Sequence, residues 1–292
     1  MSTLAFESPA KINLFLAITG RRPDGFHELV SLVAPLAWGD TLEVQSAEDF
    51  SLVCTDPGLP VDNSNLVFKA AHAFRAATGS RVGARFTLIK RIPTGAGLGG
   101  GSSNAALALR ALNQLAGDPL NPGALRDVAA SVGSDCALFL EGRPLVMRGR
   151  GERIEPLPDI VAKRLSGQPI LVFKPAFAIS TPWAYRQLAA DAPNSYVVRE
   201  DAESCLAAWA TGATNLDQIL FNNLEGPAFR KFPALPVLLE RLTREFHVPA
   251  RMSGSGSACF ALLKPDSPVE ALTTAIRDAW GESAFVLPTR LG

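Results

Sequence analysis

Pro93-Thr94-Gly95-Ala96-Gly97-Leu98-Gly99-Gly100-Gly101-Ser102-Ser103-Asn104 places five glycines within seven positions, directly ahead of the apolar run Ala105 to Leu115. Glycine admits positive φ and lets a ligand approach the main chain closely. A loop of this kind that feeds a helix start aims several N–H donors, and the positive end of the helix dipole, at one spot. That spot suits an anion, and phosphate is the common one. Gly/Ser-rich linkers are not normally followed at once by an apolar helix.

The loop also excludes two familiar phosphate sites. A Walker A loop ends in Gly-Lys-Ser/Thr, whereas Gly101 is followed by Ser102-Ser103. A dinucleotide fingerprint can be read into Gly95, Gly97 and Gly100, but it expects an acid at the end of a second strand about twenty residues on. Asp118 lies near that distance in Gly117-Asp118-Pro119, which reads as a turn.

The chain of 292 residues suits one large domain or two moderate ones. Lys+Arg and Asp+Glu both number 28, so no basic surplus points to nucleic acid or to a membrane surface. Cys54, Cys136, Cys205 and Cys259 are scattered, which reads as free thiols in a reducing compartment. No apolar run approaches the ~18 residues of a membrane span. Ile12 to Ile18 could pass for a signal segment, but Asn13 interrupts it and Arg21-Arg22 follow it. The expectation is a cytoplasmic protein with small-molecule partners.

Outward from the loop, residues 10–18 and 41–54 read as strands, with a tight turn at Pro23-Asp24-Gly25. Residues 65–78 predict a helix with Leu66, Ala70, Ala73, Phe74 and Ala77 on one face and Gly79 at its stop. A strand near 86–90 leads into the loop, and a helix at 123–131 follows it. Strands at 145–147 and 152–157 close the first half, and the proline-bearing stretch 157–169 marks a boundary. Ile170-Leu171-Val172-Phe173 opens the second half as a buried strand. Helices are expected near 182–190, 202–210, 235–246 and 268–279, with a strand at 258–263 after the turn Ser253-Gly254-Ser255-Gly256-Ser257. Regular βαβ alternation is missing, so the prediction is α+β with two lobes, 1–158 and 159–292.

Phosphoryl transfer needs a phosphate cradle, a cation for the transition state and a carboxylate near the attacking hydroxyl. Lys11 heads an apolar strand, where its ammonium either snorkels to solvent or reaches a cleft. Asp135, in Gly133-Ser134-Asp135-Cys136-Ala137, is either a helix cap or a reacting carboxylate. Among three histidines, His72 reads as solvated and His247 as structural, while His27 stands beside a turn where ligand contacts collect. None has metal-ligand spacing, so no metal held by protein imidazoles is expected.

Together these residues carry a resemblance. Pro9-Ala10-Lys11-Ile12-Asn13-Leu14, Arg22-Pro23-Asp24-Gly25-Phe26-His27-Glu28-Leu29, Pro93 to Asn104 and Gly254-Ser255-Gly256 occur in the order seen in the GHMP kinases. Within that superfamily the chain is similar to the members that phosphorylate a cytidyl substrate of non-mevalonate isoprenoid synthesis. The resemblance implies a GHMP kinase fold: an N-terminal lobe like ribosomal S5 domain 2, a ferredoxin-like C-terminal lobe and an active site in the cleft. It implies ATP along Pro93, Thr94, Gly95, Ala96, Gly97, Leu98, Gly99, Gly100, Gly101, Ser102 and Ser103, with Mg²⁺ travelling with the nucleotide. Ser102 or Ser103 is expected to supply a hydroxyl to that ion. Lys11 and Asp135 match the family's catalytic pair. Asn13, Phe26, His27 and Tyr185 match its substrate contacts, the two aromatics stacking on cytosine and His27 bonding its edge.

The chain departs from the family at four places. Phe26 stands for the usual tyrosine, and Tyr185, in Thr181-Pro182-Trp183-Ala184-Tyr185, stands for the usual phenylalanine. Cys136-Ala137 replaces Val-Pro after the aspartate, and Asn222-Asn223-Leu224-Glu225 replaces Asn-Asp-Leu-Glu. A kinase of homoserine, mevalonate or a sugar is the nearest rival, and a non-catalytic nucleotide-binding regulator the rival from another class. The aromatic pair argues against the first, and the intact Lys11, Asp135 and glycine loop argue against the second.

Overall fold

The computed structural model describes residues 3–292. In chain order the elements are β1 (Thr3–Arg21), β2 (His27–Ala47), β3 (Ser51–Cys54), α1 (Leu66–Thr78), β4 (Gly83–Ile89), α2 (Gly100–Leu115), α3 (Pro122–Val132), α4 (Leu138–Glu141), β5 (Leu145–Gly149) and β6 (Arg153–Pro156). There follow α5 (Asp159–Ala162), β7 (Pro169–Lys174), α6 (Thr181–Ala190), α7 (Arg199–Thr211), α8 (Leu216–Ile219) and β8 (Phe221–Asn222). The chain then forms α9 (Glu225–Lys231), α10 (Ala234–Phe246), β9 (Ala250–Met252), β10 (Cys259–Leu262), α11 (Val269–Trp280) and β11 (Phe285–Arg290). It divides into two compact units.

The first unit holds the described residues through Ala10, with Trp38–Pro93 and Gly99–Gly142. Its strands run in the order β3-β4-β2-β1. Thr41–Ala47 of β2 lie antiparallel to β4, which pairs in parallel with β3. Helices α1, α2 and α3 pack on one another. α1 is capped by Asn65, whose side chain accepts from the Val67 amide, and stops at Gly79 in the left-handed region. Its buried stripe is Val67, Ala70, Ala71 and Phe74, at i, i+3, i+4 and i+7. The expected face was rotated from this one, since Ala77 is exposed. The single β-rich stretch predicted over 41–54 is two strands, parted by a bend at 48–50.

The second unit holds Lys11–Ala37, Thr94–Leu98 and Arg143–Gly292. One of its sheets runs β6-β5-β2-β1-β8. The other runs β11-β7-β10-β9, antiparallel throughout. Numbered along the chain, its four strands lie in the order 4-1-3-2, the ferredoxin-like arrangement. Ile170 to Phe173 of β7 are fully buried, as a continuous apolar strand demands.

Candidate active site

β1 alternates, so Ala10, Ile12 and Leu14 face one way while Lys11 and Asn13 face the other. Both polar residues are buried, Lys11 at 5% and Asn13 at 6% exposure. A buried ammonium needs partners. The Lys11 Nζ donates to Asn13 Oδ1 at 2.6 Å, Asn13 Nδ2 donates to Ser31 Oγ at 2.9 Å, and Ser31 donates to the Phe15 carbonyl at 2.7 Å. Lys11 therefore does not snorkel. Its head group is held inside by a chain of polar side chains.

The glycine loop is stitched to this strand. Lys11 N donates to Leu98 O at 2.9 Å, and Ala258 N donates to Ala96 O at 3.0 Å. Ser253 Oγ accepts from Asn13 N and donates to Gly97 O, both at 3.3 Å. Gly97 sits at φ +75°, and a Cβ there would fall 2.4 Å from the Ser253 carbonyl oxygen. A Cβ on Gly254 would lie 3.3 Å from Asn13 Oδ1 and 3.5 Å from Lys11 Nζ. The two glycine turns, far apart in sequence, thus meet beside the ammonium.

Asn222 anchors the second turn. Its Nδ2 donates to the carbonyls of Met252 and Gly254, each at 2.8 Å, and its Oδ1 accepts from Leu224 N. The first asparagine of the departing Asn-Asn-Leu-Glu motif is therefore a support for the site. The motif alone carried no signal of that role.

In the first unit, Gly99 takes φ +73° and α2 begins at Gly100, inside the glycine run. Helix geometry leaves the amides of its first turn without intrahelical acceptors. A fully buried carboxylate holds this helix start. Asp40 Oδ1 accepts from Arg91 N at 2.7 Å and Ile92 N at 2.8 Å, Oδ2 accepts from Asn104 Nδ2 at 2.9 Å, and Lys90 pairs with it. Asn104 also donates to Ser8 Oγ, which bonds Ser103 Oγ at 2.8 Å. Ser103 is fully buried, so only Ser102 of the two expected hydroxyls stays near the surface. Asp40 was not foreseen, because an Asp after Gly39 reads locally as a turn residue.

Asp135 lies half-buried on the turn between α3 and α4. It does not cap α4, whose N-cap is Ala137. Cys136, beside it, is buried and in hydrogen-bond contact with Ser102, and burial pushes its thiol up to about 12. That thiol is unreactive at neutral pH.

The turn at Pro23-Asp24-Gly25 forms as expected, with Asp24 accepting from Phe26 N and Gly25 at φ +85°. Glu28 uses its carboxylate on Arg22 at 3.1 Å and Arg153 at 2.6 Å, a structural task. His27 and Tyr185 are brought together, their ring centroids 5.0 Å apart. Phe26 is 49% exposed, with the Arg150 guanidinium 5.1 Å above its ring. Burial first, and then the charge of Arg21, hold the His27 imidazole below its ordinary value, so it is neutral at neutral pH.

Residues 65–143 match the GHMP kinases N terminal domain, and 200–282 match the GHMP kinases C terminal domain. The chain is 39% identical over 262 residues to 4-diphosphocytidyl-2-C-methyl-D-erythritol kinase of Protochlamydia amoebophila, covering 90% of this chain and 85% of that one. It belongs to this family of GHMP kinases. The crystal structure of a 4-(cytidine 5'-diphospho)-2C-methyl-D-erythritol kinase superposes with a TM-score of 0.77 at 37% identity, over 99% of this chain and all of the other. Methanococcus jannaschii mevalonate kinase shares the fold, with a TM-score of 0.74 at 12% identity over 100% of this chain and 99% of that one. The chain is accordingly a small-molecule kinase with ATP as phosphoryl donor. No helix among the described residues is long and apolar enough to cross a membrane.

Proposed function

We propose that this chain moves the γ-phosphoryl group of ATP to the 2-hydroxyl of 4-diphosphocytidyl-2-C-methyl-D-erythritol, through its own Lys11 and Asp135. The observation that carries the reading is the buried Lys11 ammonium, whose strand is bonded to the glycine loop. A cation kept in the interior at that loop is suited to offset charge on a transferring phosphoryl group. The hydroxyl oxygen attacks phosphorus, the bond to the bridging oxygen of ADP breaks, and the hydroxyl proton passes toward Asp135. Gly95 to Ser102 contribute main-chain amides to the ATP phosphates, the Ser103 amide being bonded to the Gly99 carbonyl.

Mg²⁺ accompanies the nucleotide in this reading and offsets charge on its β and γ oxygens when bound. Ser102 is the protein hydroxyl that would hold it, since Ser103 is committed to Ser8. Asn13, whose Oδ1 accepts from the Lys11 ammonium, contacts the substrate through its remaining Nδ2–H. His27 reads the base edge, with Tyr185 and Phe26 supplying aromatic faces. We assign ATP binding to 1–158 and the remainder to 159–292, acting on soluble substrates in the cytoplasm.

Coupled detection of ADP from purified protein, ATP and the cytidyl substrate tests the reading. Asp135→Asn and Lys11→Ala should each lower kcat about 10²- to 10⁴-fold while the folded state is retained. A wild-type protein that releases no ADP with the cytidyl substrate refutes it.

A further inference from the structure

The segment between α6 and α7 is tied down by Asn223, where the family's motif carries an acid. Its Oδ1 accepts from Ile18 N at 2.9 Å, and its Nδ2 donates to Ile18 O at 2.9 Å and to Ser195 O at 3.0 Å. Val197 N donates to Ile18 O at 3.1 Å, and Ser195 Oγ donates to Leu188 O at 2.6 Å. An aspartate could accept from Ile18 but has no N–H for the Ser195 carbonyl. Asn223 and the Ile18 carbonyl thus hold the backbone on either side of Tyr196.

Tyr196 stands edge-on to His27, their ring centroids 6.3 Å apart. The Tyr196 hydroxyl is buried without a hydrogen-bond partner, and so is Nε2 of His27. Leaving a buried polar atom unpaired is costly, and each such atom in a native protein calls for a reason. Here two of them belong to rings whose centroids are 6.3 Å apart, one a phenol donor and the other an imidazole nitrogen able to accept.

We infer that Tyr196 is a positioning residue of the cytidyl site: on base binding its O–H donates to His27 Nε2, which keeps the ring proton on Nδ1 and presents Nδ1–H to an acceptor on the base edge. The inference rests on the reading that His27 contacts that edge. A neutral imidazole has one donor and one acceptor nitrogen, and the partner of the second nitrogen selects which is which. The phenol supplies that selection without adding charge. Tyr185 packs against the same imidazole, their ring centroids 5.0 Å apart.

Tyr196→Phe keeps the ring and removes only the hydroxyl. Its kinetics beside wild type, with ATP and the cytidyl substrate varied separately, should show the cytidyl KM raised about three- to ten-fold. kcat and the ATP KM should stay within about two-fold, the mark of lost binding rather than lost chemistry. ¹⁵N-histidine spectra of the substrate-bound proteins should show one Nδ1–H tautomer for His27 in wild type and a mixture in the variant. An unchanged cytidyl KM, or an equal loss in kcat and both KM values, overturns the role of Tyr196. If wild type fails to phosphorylate the cytidyl substrate, the functional reading falls and this one with it. Wild-type turnover with an unaltered Tyr196→Phe enzyme sinks this inference alone.

Discussion

Glu225 begins α9 and accepts the Met252 amide at 2.8 Å, yet burial outweighs that bond and the charge of Arg251 and raises its carboxyl to about 7. The folded protein therefore binds this proton more tightly than the unfolded chain, whose ordinary value is 4.5. Its contribution to stability is complete below that value and is lost as pH rises through about 7. The loss is on the order of a few kcal/mol. Glu225→Gln keeps an acceptor for Met252 and cannot ionise. Melting followed by circular dichroism should show wild type losing several degrees between pH 5 and pH 8, and the variant losing distinctly less. Parallel losses would remove Glu225 as the cause. His27 has the opposite sign: its lowered value makes protonation on acidification a cost to the folded state. Of the single residues, Lys11, Asp135 and His27 were singled out as candidates because each is a charged or polar group in an apolar or turn context, and for Lys11 and Asp135 the resemblance to the GHMP kinases, rather than that context, favoured a reacting role over a structural one. Glu225, Asp40 and Tyr196 were not, since nothing local marks a carboxylate or phenol whose partners come from elsewhere in the chain.

Among the elements, α2 shows how much of the phosphate loop depends on remote support. The glycine run and the apolar stretch after it predicted a helix start, and the helix begins at Gly100. Its register on the sheet is held by Asp40, which joins Lys90, the amides of Arg91 and Ile92, and Asn104 in one buried cluster. Removing one partner from such a cluster leaves an uncompensated charge and typically costs about 3–5 kcal/mol. Asp40→Ala should lower the unfolding free energy from denaturant melts by that amount and weaken ATP binding along with it. A variant with wild-type stability would show the cluster to be dispensable. The face of α1 was misjudged because small alanines occur on both sides of the helix. Packing selected the side carrying Val67 and Phe74, where large side chains fill the interior. The strand β2 was recognised only at its end, because residues 29–36 are buried on both faces and lack the alternation that signals a half-exposed strand.

At the scale of the whole molecule, a kinase binds nucleotide in the folded state and not in the unfolded chain. ATP with Mg²⁺ at about 100 times its dissociation constant should add roughly 2.7 kcal/mol to stability and raise the melting temperature by several degrees. A melting curve unmoved by ATP across that range would argue against a nucleotide site. The α+β class and the family could be read from the chain because the glycine loop, the lysine strand and the histidine turn each encode a local backbone requirement. Positive φ, twofold alternation and a tight turn are properties of a few consecutive residues, so their order along the chain already restricts the fold. Folding alone settled which distant groups became partners: Asn222 with Met252 and Gly254, Asp40 with Asn104, and Tyr196 with His27. Those pairings come from strands and turns packing together around buried surface, and that packing, rather than any local pattern, chooses the neighbours of each polar atom.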